Sequence, residues 1–181
     1  MSEPTSPLQG QSYEGFAQIR EIGPLGMITL RCDLSLKTLA TMLKSLGLTV
    51  PAPRQLVQNN ERTVGWMSHD ELLLILPYSE VSDALITIRK ALAKIHFLAE
   101  DVSDARAVFR VEGDLAVQVL AKLCPVDMQS LAQNELRRTR LAQVAAAFWV
   151  DQTGYTVVSF RSVAGYVMGL LKNAAQPGSE I

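Results

Sequence analysis

The chain has 181 residues, of which 48% are hydrophobic and 19% are charged, and its formal net charge is -1. This balance is typical of one folded domain or two small lobes and excludes a disordered chain. A nearly neutral chain lacks the positive field of general nucleic-acid binders, and no apolar run approaches the roughly 18–20 residues of a membrane helix. The polar first 25 residues carry no secretory signal, so we expect a cytoplasmic protein.

Hydrophobic periodicity predicts the order β-α-β-β-α in the first half, after an extended N-terminal arm over residues 1–20. In chain order, the predicted elements are a strand Gly26–Arg31, a helix capped by Asp33 and ended by Gly47, strands Arg62–Met67 and Glu71–Leu76, and a helix capped by Ser79. Prolines and asparagines between residues 51 and 60 predict a loop.

The second half repeats this order. Its predicted elements are a strand Ala105–Val111, a helix from Gly113 to Pro125, a hairpin of Thr139–Val150 and Tyr155–Phe160, and a helix capped by Ser162. The repeated order predicts an α+β fold of two split β-α-β-type units packed together, with antiparallel sheets covered by helices. We therefore expect a first lobe over residues 21–100, a second lobe over 101–175 and a tail over 176–181.

Isolated polar groups offer few candidates for catalysis. His69 with Asp70 and Glu71 suits acid–base chemistry, but a polar turn between two strands needs the same residue types. His96 is expected at a helix end. The two cysteines, Cys32 and Cys124, have no metal-ligand spacing, and neither the common nucleotide motifs nor the hydrolase motif is present. The sequence therefore predicts no catalytic, cofactor-binding or metal-binding residue.

Two features suggest contacts with a partner protein. The apolar segment 141–150 is suited either to burial within the domain or to burial against another subunit. The basic cluster Arg137, Arg138 and Arg140 either seats a phosphate or an acidic surface, or guards this segment against aggregation. Tryptophans and arginines are common in interfaces. The predicted interface residues are Trp66, Arg106, Arg138, Arg140, Trp149 and Arg161.

Several blocks of the sequence resemble the gamma subunit of heterotetrameric sarcosine oxidase, in family order. The first is Gly65–Leu74, which is similar to the family segment G-W-x-x-x-D-E-x-L-L. The other blocks are Asp101–Val111, Leu120–Asp127, Arg138–Val144 with Ala147–Trp149, and Phe160–Ser162. Together they run from about residue 22 to 172.

The resemblance implies a non-catalytic subunit that stabilises flavin-bearing partners. It implies alpha, beta and delta subunits that carry FAD, FMN, NAD, tetrahydrofolate and zinc, in a complex that oxidises sarcosine to glycine in sarcosine catabolism and one-carbon metabolism. It also implies a fold similar to the folate-binding aminomethyltransferase domain. The alternatives are a free folate- or small-molecule-binding protein, and a subunit of a related N-methyl amino acid oxidase or dehydrogenase.

Overall fold

The computed structural model describes residues 4–181 and divides them into two compact units. One unit is Leu25–Ser103, and the other combines the residues up to Pro24 with Asp104–Ile181. The chain thus starts in one unit, forms the whole of the other, and then returns to the first. No helix in the described part of the chain is long and apolar enough to cross a membrane.

Within residues 4–181, the two units contain eleven strands and four α-helices. The strands are β1 (Ser12–Glu14), β2 (Gln18–Ile22), β3 (Gly26–Arg31), β4 (Leu56–Asn59), β5 (Arg62–Ser68), β6 (Glu71–Leu76), β7 (Leu98–Asp101), β8 (Arg106–Glu112), β9 (Leu136–Leu141), β10 (Val144–Asp151) and β11 (Gly154–Phe160). The helices are α1 (Lys37–Ser45), α2 (Val81–Ala91), α3 (Ala116–Leu123) and α4 (Ala164–Ala174).

The unit Leu25–Ser103 contains an antiparallel sheet of five strands in the order β4-β5-β6-β3-β7. Helices α1 and α2 cover one of its faces because their apolar stripes and alternate strand residues form one core. Fully buried members of this core include Ile28, Leu30, Leu39, Leu43, Val64, Leu72, Leu74 and Ile88.

The other unit contains an antiparallel sheet of six strands in the order β1-β2-β8-β11-β10-β9. Helices α3 and α4 supply Val119, Leu120, Val167 and Leu171 to the core on one face. Within that core, the ring centroid of Phe148 lies 6.1 Å from that of Tyr155 in an edge-on arrangement. The predicted α+β fold with antiparallel sheets and covering helices is confirmed.

The two sheets share one topology. In each unit a first strand leads to a helix and then to three sequential strands and a second helix, and the first strand lies beside the last of the three. A further strand pairs with the other side of the first strand: β7 does so in one sheet and β2 in the other. The N-terminal residues, predicted to be an extended arm, therefore supply β1 and the start of β2.

Both ends of the described part of the chain are tied to their unit by hydrogen bonds. The buried carboxylate of Glu21 accepts hydrogen bonds from the Ser6 hydroxyl at 2.8 Å and from the amides of Leu8 and Gly10 at 3.0 and 2.9 Å. The Lys122 ammonium donates to the carbonyls of Ala174 and Ser179. The first described residues and the segment predicted to be a tail thus have fixed positions.

The structure corrects several details of the predicted elements. Residues Leu56–Asn59, inside the predicted loop, form β4 because they pair with β5. The single predicted strand Thr139–Val150 is two strands, because the chain turns at Ala142, where φ is 51°. The helices predicted to begin at Asp33, Ser79 and Ser162 have no side-chain cap at their actual starts. Instead, Asp33 accepts hydrogen bonds from Ser35, and 3-10 turns hold the other two serines.

Candidate functional site

Four of the six predicted interface residues lie on one face of the six-stranded sheet. Side chains alternate across a strand, and Phe109, Phe148 and Val157 point into the core beneath α3 and α4. The residues that alternate with them point to the opposite face, which we call the helix-free face. The four residues at such positions are Arg106, Arg138, Arg140 and Trp149.

One end of the helix-free face is exposed and carries an aromatic ring among arginines. Phe160 is 48% exposed, and the guanidinium carbon of Arg106 lies 4.4 Å from its ring centroid, a cation–π arrangement. Arg138 and Arg140 are exposed at alternate positions of β9 on the same face. We call Arg106, Arg138, Arg140 and Phe160 the arginine patch.

Trp149 lies on the same face but is only 7% exposed. It pairs across the sheet with Leu136 on one side and Thr156 on the other, both of which are buried. The burial of Trp149 favours the interpretation that the segment 141–150 is buried within this chain over the alternative that it is buried against another subunit. The role of Trp149 at an interface stays a prediction.

A polar network that the sequence analysis did not identify lies beside Trp149. The buried guanidinium of Arg110 donates to both carboxylate oxygens of Asp151, at 2.6 and 3.1 Å, and to Glu112 at 3.2 Å. The hydroxyls of Thr153 and Thr156 each lie 2.6 Å from it. The signal in the sequence was an arginine within the apolar strand Ala105–Val111, opposite a hairpin that contains an aspartate.

Charge pairing dominates the electrostatics of this network. Burial acts to lower the pKa of Arg110, but hydrogen bonds and charge from Asp151 and Glu112 outweigh it and raise that pKa. Burial likewise acts to raise the pKa of Asp151, yet hydrogen bonds from Arg110 and Thr153 bring it below its usual value. Both groups are therefore charged at neutral pH, and Arg110 is a structural arginine that fixes the hairpin.

The basic cluster around residue 138 does not converge on one point. Arg137 points to the opposite face from Arg138 and Arg140, and its Nε lies 2.8 Å from Oε1 of the buried Glu135. Strand β9 is also an edge of its sheet. Charged residues on an edge strand discourage pairing with other chains, as the guarding role requires.

The remaining two predicted interface residues lie elsewhere. Trp66 is half-buried in β5 of the unit Leu25–Ser103, and its amide donates to the Gln55 carbonyl at 3.0 Å. Arg161 directly follows Phe160, and its Nη1 donates to the Thr5 carbonyl at 2.9 Å. The structure therefore gives Arg161 a role in holding the N-terminal segment.

Both histidines line a cleft of about 760 Å³ in the unit Leu25–Ser103. Its walls include Leu36, Ile95 and Phe97, with His69 and His96 among the polar residues. His96 lies in the connection between α2 and β7, not at the predicted helix end. The cleft therefore combines an apolar lining with several polar groups, as small-molecule sites do.

The geometry around His69 favours the polar turn over acid–base chemistry. Its side chain is 91% exposed, and its Nδ1 lies 3.9 Å from the nearest oxygen of Asp70, too far for a hydrogen bond. The same carboxylate accepts hydrogen bonds from Ser68 at 2.7 Å and Arg31 at 2.8 Å, and these partners lower the pKa of Asp70. Asp70 thus secures the β5–β6 turn to β3.

The two thiols are buried and unsuited to nucleophilic chemistry. Burial raises the pKa of Cys124 to about 12. Burial, with the nearby charges of Asp33 and Asp70, also raises the pKa of Cys32. Within residues 4–181, no group of three or more His, Cys, Asp or Glu side chains could hold a metal ion.

The fold is similar to those of several solved proteins. A chain of the heterotetrameric sarcosine oxidase from Corynebacterium sp. U-96, in complex with pyrrole 2-carboxylate, matches with a TM-score of 0.80 and 24% identity over 88% of this chain and 83% of that chain. The glycine cleavage system aminomethyltransferase T from Bartonella henselae matches with a TM-score of 0.70 and 11% identity, over 97% of this chain and 59% of that chain.

A more distant structural similarity is to the regulatory subunit of aspartate kinase from Thermus thermophilus, with a TM-score of 0.51 and 13% identity over 91% of this chain and 99% of that chain. At these identities the structural comparisons establish the fold alone. No curated protein sequence matches the chain.

The sequence itself matches a family model. The model is that of the sarcosine oxidase gamma subunit family, and it matches residues 32–176, which include most of both units. This range contains all the sequence blocks on which the resemblance was based, so the predicted family is confirmed. The chain belongs to the sarcosine oxidase gamma subunit family.

Proposed function

We propose that this chain is a non-catalytic subunit of a heterotetrameric sarcosine oxidase and that it stabilises the subunits that carry the flavins. The family match over residues 32–176 carries the proposal. The structural similarity to a heterotetrameric sarcosine oxidase supports it. The partners are the alpha, beta and delta subunits of a cytoplasmic complex that oxidises sarcosine to glycine in sarcosine catabolism and one-carbon metabolism.

The proposal assigns FAD, FMN, NAD, tetrahydrofolate and zinc to those partner subunits. It is supported by how this chain uses its own polar groups. Asp70 is engaged with Arg31 and Asp151 with Arg110, while Cys124 is a buried thiol with a pKa of about 12. These residues hold turns and strands in place and are poor candidates for ligands or nucleophiles.

A subunit of this kind acts through binding energy. A partner that binds only the folded form of a protein stabilises that form by mass action, without contributing to the chemistry. The exposed arginine patch and the exposed side chain of Tyr166 offer surfaces for such contacts. We therefore expect this chain to affect the amount and stability of the oxidase more than its kcat.

Co-purification tests the proposal. The chain, tagged and co-expressed with the genes for the other three subunits, should recover two large flavoprotein chains and a small zinc-binding chain in equal amounts, in a yellow eluate that oxidises sarcosine. A colourless eluate that holds only the tagged chain would contradict it. Turnover of another N-methyl amino acid in place of sarcosine would identify the complex as a related oxidase or dehydrogenase.

Omission of the chain tests the stabilising role. The other three subunits, expressed without it, should give less assembled enzyme with a lower melting temperature in a thermal scan that follows flavin fluorescence. An oxidase that assembles, melts and turns over as the complete enzyme does would rule this role out.

A second candidate is a free folate- or small-molecule-binding protein. The similarity to aminomethyltransferase T and the cleft of about 760 Å³ favour it. Because fold similarity alone does not establish a ligand, this candidate requires a direct titration of the isolated chain.

A further inference from the structure

We propose that the arginine patch is the docking site for an acidic segment of another subunit of the oxidase. The inference rests on the proposed function and adds the chemistry of the partner to it. The segment would carry at least two carboxylates on either side of an apolar side chain. The apolar side chain would pack on the ring of Phe160, and the carboxylates would pair with Arg106, Arg138 and Arg140.

The exposed ring of Phe160 is the first observation. Phe160 ends β11 and Arg106 begins β8, and both strands are interior strands of the six-stranded sheet. An aromatic ring that is 48% exposed on an interior strand presents apolar area that a second chain can bury. The guanidinium carbon of Arg106 lies 4.4 Å from the centroid of this ring, so a positive charge lies next to the apolar surface.

Protection of a sheet edge accounts for only part of the patch. Charges at Arg138 and Arg140 suit an edge strand, and β9 is one. Arg106 and Phe160 are two or more strands from that edge, so edge protection gives no reason for them. A binding surface explains all four residues together.

The charge of the patch indicates an acidic partner. The chain as a whole carries a net charge of -1, yet this face has three arginines at one end. Such a local excess attracts negative charge, and arginine binds carboxylates in a bidentate geometry.

The spacing sets the length of the segment. Three strand spacings separate Arg140 from Arg106, and at about 4.8 Å for each spacing the two backbones lie roughly 14 Å apart. An extended chain crosses that distance in about four residues. A short acidic strand or loop of the partner would therefore reach both ends of the patch.

Charge reversal tests the proposal in the four-subunit complex. With the tag on a flavin-bearing subunit, the amount of this chain that co-purifies is measured for the wild type, for Arg138→Glu/Arg140→Glu and for Phe160→Ala. We expect recovery of the charge-reversal variant to fall at least tenfold at 0.1 M NaCl and that of Phe160→Ala to fall by a smaller factor. Raising the salt to 0.5 M should weaken wild-type recovery, because charge pairing is screened.

Two controls separate the possible failures. Arg89→Glu/Lys90→Glu makes the same change of charge at exposed positions of α2 and should co-purify as the wild type does. Arg138→Lys/Arg140→Lys keeps the charge and should retain most binding. Variants are compared only if their melting temperatures as isolated full-length chains match that of the wild type. If Arg138→Glu/Arg140→Glu and Phe160→Ala both co-purify as well as the wild type, the inference about the arginine patch is wrong, but the proposed function stands. If the wild-type chain itself does not co-purify, both the inference and the proposed function are wrong.

Discussion

Arg110 shows how one buried charge organises a hairpin. Its guanidinium reaches Asp151 and Thr153 across the start of β11 and Glu112 on its own strand. A buried arginine without its carboxylate partner keeps the cost of desolvation and loses the compensating charge. The network therefore fixes the conformation of the turn after β10, and removal of one of its charged partners should lower the free energy of unfolding.

Replacement of Asp151 tests this role. We expect Asp151→Asn to lower the free energy of unfolding by about 1.5–3 kcal/mol at pH 7, the range for hydrogen bonds to charged groups. Because the folded state lowers the pKa of Asp151, this stabilisation is complete above the unfolded pKa of about 3.9 and is lost as the pH falls through the folded value. Urea titrations at pH 7 and at pH 3.5 should show the difference between wild type and variant narrowing at the lower pH.

Asp114→Asn provides the matched control for this measurement. Asp114 is exposed and lies close in sequence to the same strand. The substitution should change the free energy of unfolding by less than about 0.5 kcal/mol. A cost for Asp151→Asn that is no larger than this, or that does not vary with pH, would mean that the ion pair contributes little to stability.

The N-terminal segment illustrates how one carboxylate can order several residues of irregular chain. Glu21 is 4% exposed, and its two oxygens accept from Ser6, Leu8 and Gly10. Glu21→Gln exchanges one accepting oxygen for a donor, so it should free at least one of those backbone amides. We expect faster hydrogen exchange at the amides of Leu8 and Gly10, measured by NMR, with the protection of amides in β8 unchanged.

Glu14→Gln makes the same chemical change at an exposed position of β1 and should leave that exchange unaltered. Equal protection of Leu8 and Gly10 in wild type and Glu21→Gln would show that packing, and not the carboxylate, holds the segment.

The elements that sequence patterns failed to predict have specific physical causes. The turn between β9 and β10 contains no glycine, and Ala142 adopts its positive φ where its amide donates to the Leu123 carbonyl at 2.9 Å, a tertiary contact that no local pattern shows. Strand β7 has Ala99 as its one buried residue, so it lacks the alternation that identifies a strand. The long apolar strands and helices, with strong periodicity, were predicted correctly.

The candidate site, like the fold, could be predicted from the sequence only in part. Alternation along β8, β9 and β10 places Arg106, Arg138, Arg140 and Trp149 on one face, but that conclusion requires the register between strands, which a sequence alone does not provide. The exposure of Phe160 and the inward direction of Arg137 depend on packing in the same way. Residue type indicated which side chains to consider, and topology determined which of them meet.

At the scale of the whole molecule, the duplicated topology is clear although the halves share almost no sequence. Both sheets need a strand beside the first strand of the repeat, and the chain supplies β7 after α2 in one unit and β2 before the repeat in the other. The same sheet position can be filled from either end of a repeat because antiparallel pairing depends on register and not on chain order. Within the segment expected to be an extended arm, residues 12–14 and 18–20 accordingly lie in β1 and β2.

A single titration of the isolated full-length chain with tetrahydrofolate distinguishes the two proposed functions. As a subunit whose partners hold the folate site, the isolated chain should show no change in melting temperature with millimolar tetrahydrofolate. A ligand at 100 times its Kd would add about 2.7 kcal/mol, which corresponds to a rise of about 5–10 °C for a protein of this size. Such a rise would support the free binding protein. Its loss in Arg138→Glu/Arg140→Glu, but not in Arg89→Glu/Lys90→Glu, would then place the glutamate tail of the folate on β9.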